Sequence, residues 1–155
     1  LVRKGSHASL EGLKGKTLGG TLLSEPLFVD RIVFKGRAML SDFVVQPTPQ
    51  ALRALRGLNE REIESVLVND QQYRSLGSLS FAGELEAIFT SDPVPLMGIV
   101  AVESRTTPDE RKRFQKALTG FCANKEGRQF CELFGIEAFL PVNRSNYDGM
   151  RALWK

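Results

Sequence analysis

Apolar positions along this chain change period several times, and each change marks a boundary between elements. Leu1 to Lys4 reads as the end of a strand. Ser9 stands where it can cap a helical turn over Leu10 to Leu13, Gly15 lets the chain bend, and Lys16-Thr17-Leu18 continues as a strand that runs out in Gly19-Gly20. Ser24 is placed to cap the next helix, with Pro26 in its first turn, where the N–H that proline lacks would be unpaired anyway. Leu27, Phe28, Ile32 and Val33 fall at helical spacing, so Pro26 to Phe34 is expected to be a helix, stopped by Gly36. Phe43-Val44-Val45 is a short strand. Thr48 followed by Pro49 starts a helix whose apolar face is Ala51, Leu52, Leu55 and Leu58, and Glu60 to Glu64 is a charged link. Val66-Leu67-Val68 is a buried strand ending at Asn69-Asp70, and a helix over Asp70 to Leu76 is stopped by Gly77.

Leu85 to Thr90 alternates as a strand does, and Ser91-Asp92-Pro93-Val94-Pro95 is held extended because each proline restricts the residue before it. Gly98 to Val102 is a further apolar strand. Thr107 then caps and Pro108 starts a helix in which Phe114, Ala117, Leu118 and Phe121 share a face. Lys125 to Phe134 follows, with Phe130, Leu133 and Phe134 expected inward and Gly135 as the residue that ends it. Asn146 to Trp154 forms a last helix. Short strands alternating with helices predict an α/β domain with a largely parallel sheet. The last helices come after the sheet is complete and need something else to pack on.

Length and composition fit this picture and narrow it. At 155 residues, 42% of them hydrophobic, the chain makes one full domain with a proper core. A net charge of +3 from 21 basic and 18 acidic residues, without a basic stripe or interleaved aromatics, argues against nucleic acid as a partner. The longest apolar run, Pro93 to Val102 broken by Gly98, is far below the roughly 20 residues of a membrane span. No charged stretch followed by an apolar one opens the sequence, as would also be true of a mature or shortened chain.

Cys122 and Cys131 have no cysteine or histidine neighbours at metal spacing, which removes a zinc reading. Two readings of the pair stand. They bond if the chain turns between two helices; otherwise they are two small buried apolar side chains, the default for the residue type. His7 is the only histidine and has no nucleophile beside it. Leu1 to Ala8 also has the look of a vector-derived leader, so His7 carries little weight.

Leu10 to Pro26 holds the candidate chemistry. A strand that ends in glycines and hands over to a helix start leaves backbone N–H groups pointing the same way, which suits an anion. The same joint occurs throughout α/β proteins without any ligand.

The segments LVRKGS, SLEGLKGKTLGG, EIESVLVNDQQY, IFTSDPVPLMGIVAV, PDERKRFQKAL and FGIEAFLPVNRSNY, taken in order, resemble periplasmic substrate-binding proteins of ABC transporters with the two-lobed type II fold, specifically the phosphate/phosphonate-binding family. The resemblance covers nearly the whole chain. It implies a mostly parallel sheet flanked by helices, forming one lobe, plus C-terminal helices. Residues 1–9 would enter through a hinge strand, residues 10–92 would build the ligand-binding lobe, and residues 93–155 would supply the hinge return strand and helices of the other lobe, whose first half is not in this sequence. On that reading the chain is roughly the second half of such a protein.

Carried over residue by residue, the resemblance places ligand contacts at Gly20, Thr21 and Ser24 on the helix mouth, at Asn69, Asp70 and Tyr73 after the next strand, and at Thr90, Ser91 and Asp92 on the hinge return. For Asn69 and Asp70 the alternative is a helix cap, and for Thr90 to Asp92 it is turn chemistry before prolines. The family's hydroxyl run at the mouth is only partly kept. Leu22, Leu23 and Glu25 depart from it, and a carboxylate there repels phosphate and occupies the positive helix end itself. That leaves room for an amine-bearing or neutral solute.

The resemblance implies a solute-binding component of a transporter that takes a small polar or anionic solute between two hinged lobes. Its partners would be that small molecule, a transporter permease and the missing half of the protein; its place would be the periplasm, free or membrane-anchored. No cofactor or metal is implied, and no catalytic group. The alternative is a ligand-sensing domain of a receptor or transcription regulator with the same fold. Enzymatic use of the fold would need a reactive His or Cys in the cleft, and both cysteines fall in the late helices.

Overall fold

A computed structural model describes residues 1–94 and 98–154. The chain divides into two compact units, Leu1–Val94 with Met150–Lys155, and Pro95–Gly149.

The first unit is built on five strands: β1 (Val2–Arg3), β2 (Thr17–Gly20), β3 (Val44–Pro47), β4 (Ser65–Leu67) and β5 (Leu85–Glu86), in the order β3-β2-β4-β1-β5. β2 runs parallel to both β3 and β4, whereas β1 is antiparallel to β4 and β5. The sheet is therefore mixed, with two parallel and two antiparallel pairings among the described strands, β1 being the strand that runs against the others. Val2 is wholly buried, and the Leu1 backbone nitrogen donates to the Val66 carbonyl at 2.8 Å. Val2 and Arg3 are thus part of the sheet.

The chain leaves β2 to pair β3 on one side and then crosses back to β4 on the other. Right-handed crossovers in opposite directions put their helices on opposite faces. Two separate cores follow. Leu18, Val29, Val33, Phe34 and Phe43 pack together on the side of helix α1 (Pro26–Phe28) and the π-helical turn Val29–Phe34 that continues it. Ala54, Leu55, Leu58, Ile63 and Val66 pack on the side of α2 (Ala51–Asn59). Neighbouring residues of β4 divide between them, Val66 into the second core and Leu67 against the first, as the period of two requires.

Local differences from the expected elements have local causes. Gly19 and Gly20 lie inside β2 rather than beyond it, paired with β3 and β4; a side chain at Gly19 would press on Ile63 and one at Gly20 would collide with the Leu67 carbonyl. Ser24 does not cap α1; Glu25 is the boundary residue, and its side chain makes no capping bond. The helix is stopped by Lys35 and Gly36, both with positive φ (48° and 76°). α2 starts at Ala51, and Leu52 is exposed because it lies roughly 100° round the helix from Ala51, off the face formed by Ala54, Leu55 and Leu58. α3 (Asp70–Arg74) continues as a 3₁₀ turn to Ser78, so Gly77 lies within the turn. Only Leu85–Glu86 of the alternating segment pairs as a strand, and residues 91–94 have no regular structure; Pro95 of the expected extended run lies outside the described residues.

The second unit is helical. α4 (Pro108–Thr119) has a reciprocal cap: Thr107 Oγ1 accepts from Glu110 N at 3.3 Å, and Glu110 Oε2 accepts from Thr107 N at 2.8 Å. Phe121 lies beyond it, in a 3₁₀ turn over Phe121–Ala123. α5 (Lys125–Phe134) begins with Asn124 accepting from Gly127 N at 2.7 Å and ends at Gly135 with φ 63°. α6 (Asp148–Trp154) begins at the end of this unit, its residues from Met150 on being assigned to the first. Gly98 to Val102 is not a strand: no described strand pairs with it, and Val100 is 87% exposed. Phe130, Leu133 and Phe134 are exposed rather than inward. Periodicity marks a shared face but not what covers it.

Cys122 and Cys131 are bonded to each other, with Cα atoms 5.7 Å apart, within the span a disulfide bridges. This corrects the default of two unlinked apolar side chains. The turn at Phe121–Ala123 folds the chain back, and Gly127 lets the Phe121 carbonyl come against α5 where any side chain would collide. That approach sets the two sulfurs side by side.

Candidate functional site

β2 ends at Gly20 and β4 at Leu67, and these two residues are register partners. At the carboxyl ends of parallel strands from which the chain departs in opposite directions, a doubly wound sheet leaves a crevice. Gly20 can lie here only as glycine: its φ is 144°, and a Cβ would collide with the Leu67 carbonyl oxygen. Its own carbonyl accepts from Thr48 N, at the end of β3, at 3.1 Å.

Thr21 follows Gly20, and Asn69 opens α3 just past β4. The two are linked through Gln72. Asn69 Oδ1 accepts from Gln72 N at 2.8 Å, Gln72 Oε1 accepts from Asn69 N at 3.1 Å, and Gln72 Nε2 donates to Thr21 Oγ1 at 3.2 Å. A hydroxyl has two acceptor sites and one proton. With Gln72 taking an acceptor site, Thr21 keeps its proton for another oxygen. Tyr73 is half exposed on α3, and Asp70 is paired with Arg74 at 3.4 Å. The Ser24 hydroxyl, exposed, donates to the Thr21 carbonyl at 3.4 Å. Gly20, Thr21, Ser24, Asn69, Asp70 and Tyr73 thus stand along this edge. Gln72 was not among the residues singled out from sequence. Its signal is the spacing Asn69-x-x-Gln72, a reciprocal helix cap.

Ser91 and Asp92 are held elsewhere, and Thr90, exposed, precedes them. Asp92 Oδ2 accepts from Lys35 Nζ at 2.6 Å, at the end of the α1 helix opposite its mouth. The Lys35 bond, reinforced by its charge and that of Arg37, holds the Asp92 carboxyl below its ordinary range. Phe89 meets the Phe34 ring edge-on at 5.9 Å, with the Arg37 guanidinium 5.7 Å from its ring centre. Ser91 Oγ donates to the Asp92 carbonyl, as a turn residue does.

A pocket of about 630 Å³ opens beside the exit of β1, lined by Gly5, Ser6, His7, Ala8, Glu86, Ala87 and Ile88, and includes none of those residues. Its polar groups are engaged internally. Glu86 Oε1 accepts from Gly5 N, and His7 Nε2 lies 3.3 Å from Glu64 Oε2, which also takes Arg3 Nη2 at 2.8 Å. The His7 contact, then the Arg3 bond, hold the Glu64 carboxyl below its ordinary range against the opposing effect of burial. Arg3 Nη1 donates to the carbonyls of Leu58 and Ile63, tying β1 to the end of α2. Among the described residues no three His, Cys, Asp or Glu side chains gather as a metal site, and no helix is long and apolar enough to cross a membrane.

Residues 1–147 match a family model described as ABC transporter, phosphonate, periplasmic substrate-binding protein. No curated protein matches the chain.

Proposed function

Because the chain belongs to the phosphonate-binding family of ABC-transporter periplasmic substrate-binding proteins, we propose that it binds a small polar or anionic solute at the Thr21–Asn69 edge of its sheet and delivers it to a transporter permease. Its task is capture and release, with no bond made or broken in the solute.

The observation that carries this placement is the Gln72–Thr21 bond, which joins the ends of β2 and β4 through side chains and leaves the Thr21 proton for a solute oxygen. Tyr73 offers a second hydroxyl from the same short helix. This edge is one wall of the site; the facing wall belongs to a second lobe of the family's two-lobed fold, and closure of the lobes shields the solute from water. Glu25 makes the mouth of α1 less hospitable to a doubly charged phosphate, so the reading favours a phosphonate with an amine, or a singly charged or neutral solute.

The test is thermal unfolding of the protein with phosphate, phosphonates with and without an amino group, sulfate, simple amines and amino acids. A solute bound only by the folded state at a hundred times its Kd adds about 2.7 kcal/mol. For a chain of this size that is a rise of roughly 5–10 °C. If no compound in the panel raises the midpoint, the reading fails.

A further inference from the structure

The unit formed by residues 95–149 has almost no buried interior. Among its described residues only Gly127 and Cys131 are buried, while Phe114, Leu133 and Phe134 are each more than half exposed. Both clusters of buried apolar side chains lie in the α/β unit. Helices of 12 and 10 residues, such as α4 and α5, are marginal on their own in water. Among the described residues, the cross-link and the contacts around it are what fix α5.

The cross-link is positioned to do so. Cys131 is 3% exposed in the middle of α5, and its partner lies in the turn Phe121–Ala123, nine residues earlier. The contacts around it depend on the same turn. Phe121 meets Phe130 edge-on at 5.8 Å and Phe139 at 6.2 Å, and its carbonyl presses on the face of Gly127. Asn124 caps the helix from the same short connection. If the turn releases, the aromatic contacts, the cap and the close approach at Gly127 are lost together.

We infer that the Cys122–Cys131 bond is a redox-dependent fastener for this unit: with both thiols reduced, the turn and α5 are largely unfolded while the α/β unit keeps its structure. Closing the bond takes one proton and one electron from each thiol. A disulfide-carrying oxidant, such as a thiol–disulfide oxidoreductase or glutathione disulfide, accepts both and leaves as two thiols. Such bonds form and persist in oxidising compartments, so ordering of this unit follows delivery to the periplasm.

Hydrogen–deuterium exchange on the full chain tests the inference, comparing the oxidised protein, the reduced protein and the double variant Cys122→Ser/Cys131→Ser. Protection of the α5 amides should fall roughly a hundredfold in the last two, the loop-closure contribution of a bond across so short a segment. Amides of β2 and β4 should change less than twofold. Glutathione disulfide should restore α5 in the reduced protein and not in the variant. Unchanged protection of α5 in the double variant overturns the inference. So does loss of β2 and β4 protection alongside it, which would make the bond a staple of the whole chain.

Discussion

Gln72 and Thr21 lie 51 residues apart in sequence, yet the Gln72 amide nitrogen donates to the Thr21 hydroxyl at 3.2 Å. Because Gln72 spends its carbonyl on the Asn69 backbone, its amide group has one orientation that satisfies both ends. The helix cap thereby sets the direction of the threonine hydroxyl. Thr21→Val keeps the shape and removes both the acceptor and the proton. It should cost about 1 kcal/mol in urea unfolding. It should also weaken binding of any solute found in the thermal panel by about tenfold in calorimetry. Full affinity in the valine variant would move the site away from this edge.

Gly20→Ala probes the backbone beneath that hydroxyl. A methyl group there meets the Leu67 carbonyl while φ stays at 144°, so the strand ends must part or the residue must change conformation. Strain of this kind costs about 1–3 kcal/mol before any clash is counted. We expect a loss of at least about 3 kcal/mol in denaturant titration. A variant as stable as the parent would show that the pairing of β2 with β4 gives way easily.

Glu25→Ser tests the mouth of α1. Removing a carboxylate from the positive end of a helix restores a place for an anion, worth up to about 1 kcal/mol, or roughly fivefold in affinity. Phosphate and simple phosphonates should therefore bind the serine variant more tightly, and an amine-bearing phosphonate should lose its advantage. Equal affinities in both proteins would exclude this mouth from the site.

The Arg3–Glu64–His7 cluster gives an acid-dependent stability. The folded Glu64 carboxyl titrates below its ordinary 4.5 because of the His7 contact and then Arg3. A lowered folded value means that the unfolded chain binds the proton more readily. The contribution is complete above about pH 5 and is lost as pH falls through 4.5 toward the folded value. Melting curves from about pH 6 to about pH 3 should fall more steeply for the parent than for Glu64→Gln. Parallel curves would mean that the cluster adds nothing net.

Two helix ends in the second unit were legible in the sequence because a cap is a local device, whereas the expected caps at Ser9 and Ser24 are not formed as helix caps. Thr107-Pro108, and Gly135 after Phe134, mark helix ends that the structure keeps. What escaped the sequence depends on partners far along the chain. Gly19 and Gly20 look like a bend until Ile63 and Leu67 are seen to press on them. The direction of β1 is set only by its neighbours β4 and β5. The Phe130, Leu133 and Phe134 face was readable as a face, but nothing local says whether it is covered. At the candidate site, the strand ends that carry Thr21 and Asn69 could be found from period and punctuation. The tether of Asp92 to Lys35, 57 residues away, could not.

The placement of β1 bears on how the sheet assembles. It lies between β4 and β5, so these two strands share no ladder and their backbones are bridged through Val2 and Arg3. Bonds that fix it span long stretches of chain, 65 residues from Leu1 to Val66 and 81 from Gly5 to Glu86. Closing such loops costs chain entropy before the contacts repay it, which slows folding. The local β2–β3–β4 block can form first, and the arrival of β1 is then the event that recruits β5. The slowest step in refolding should be the docking of a two-residue strand.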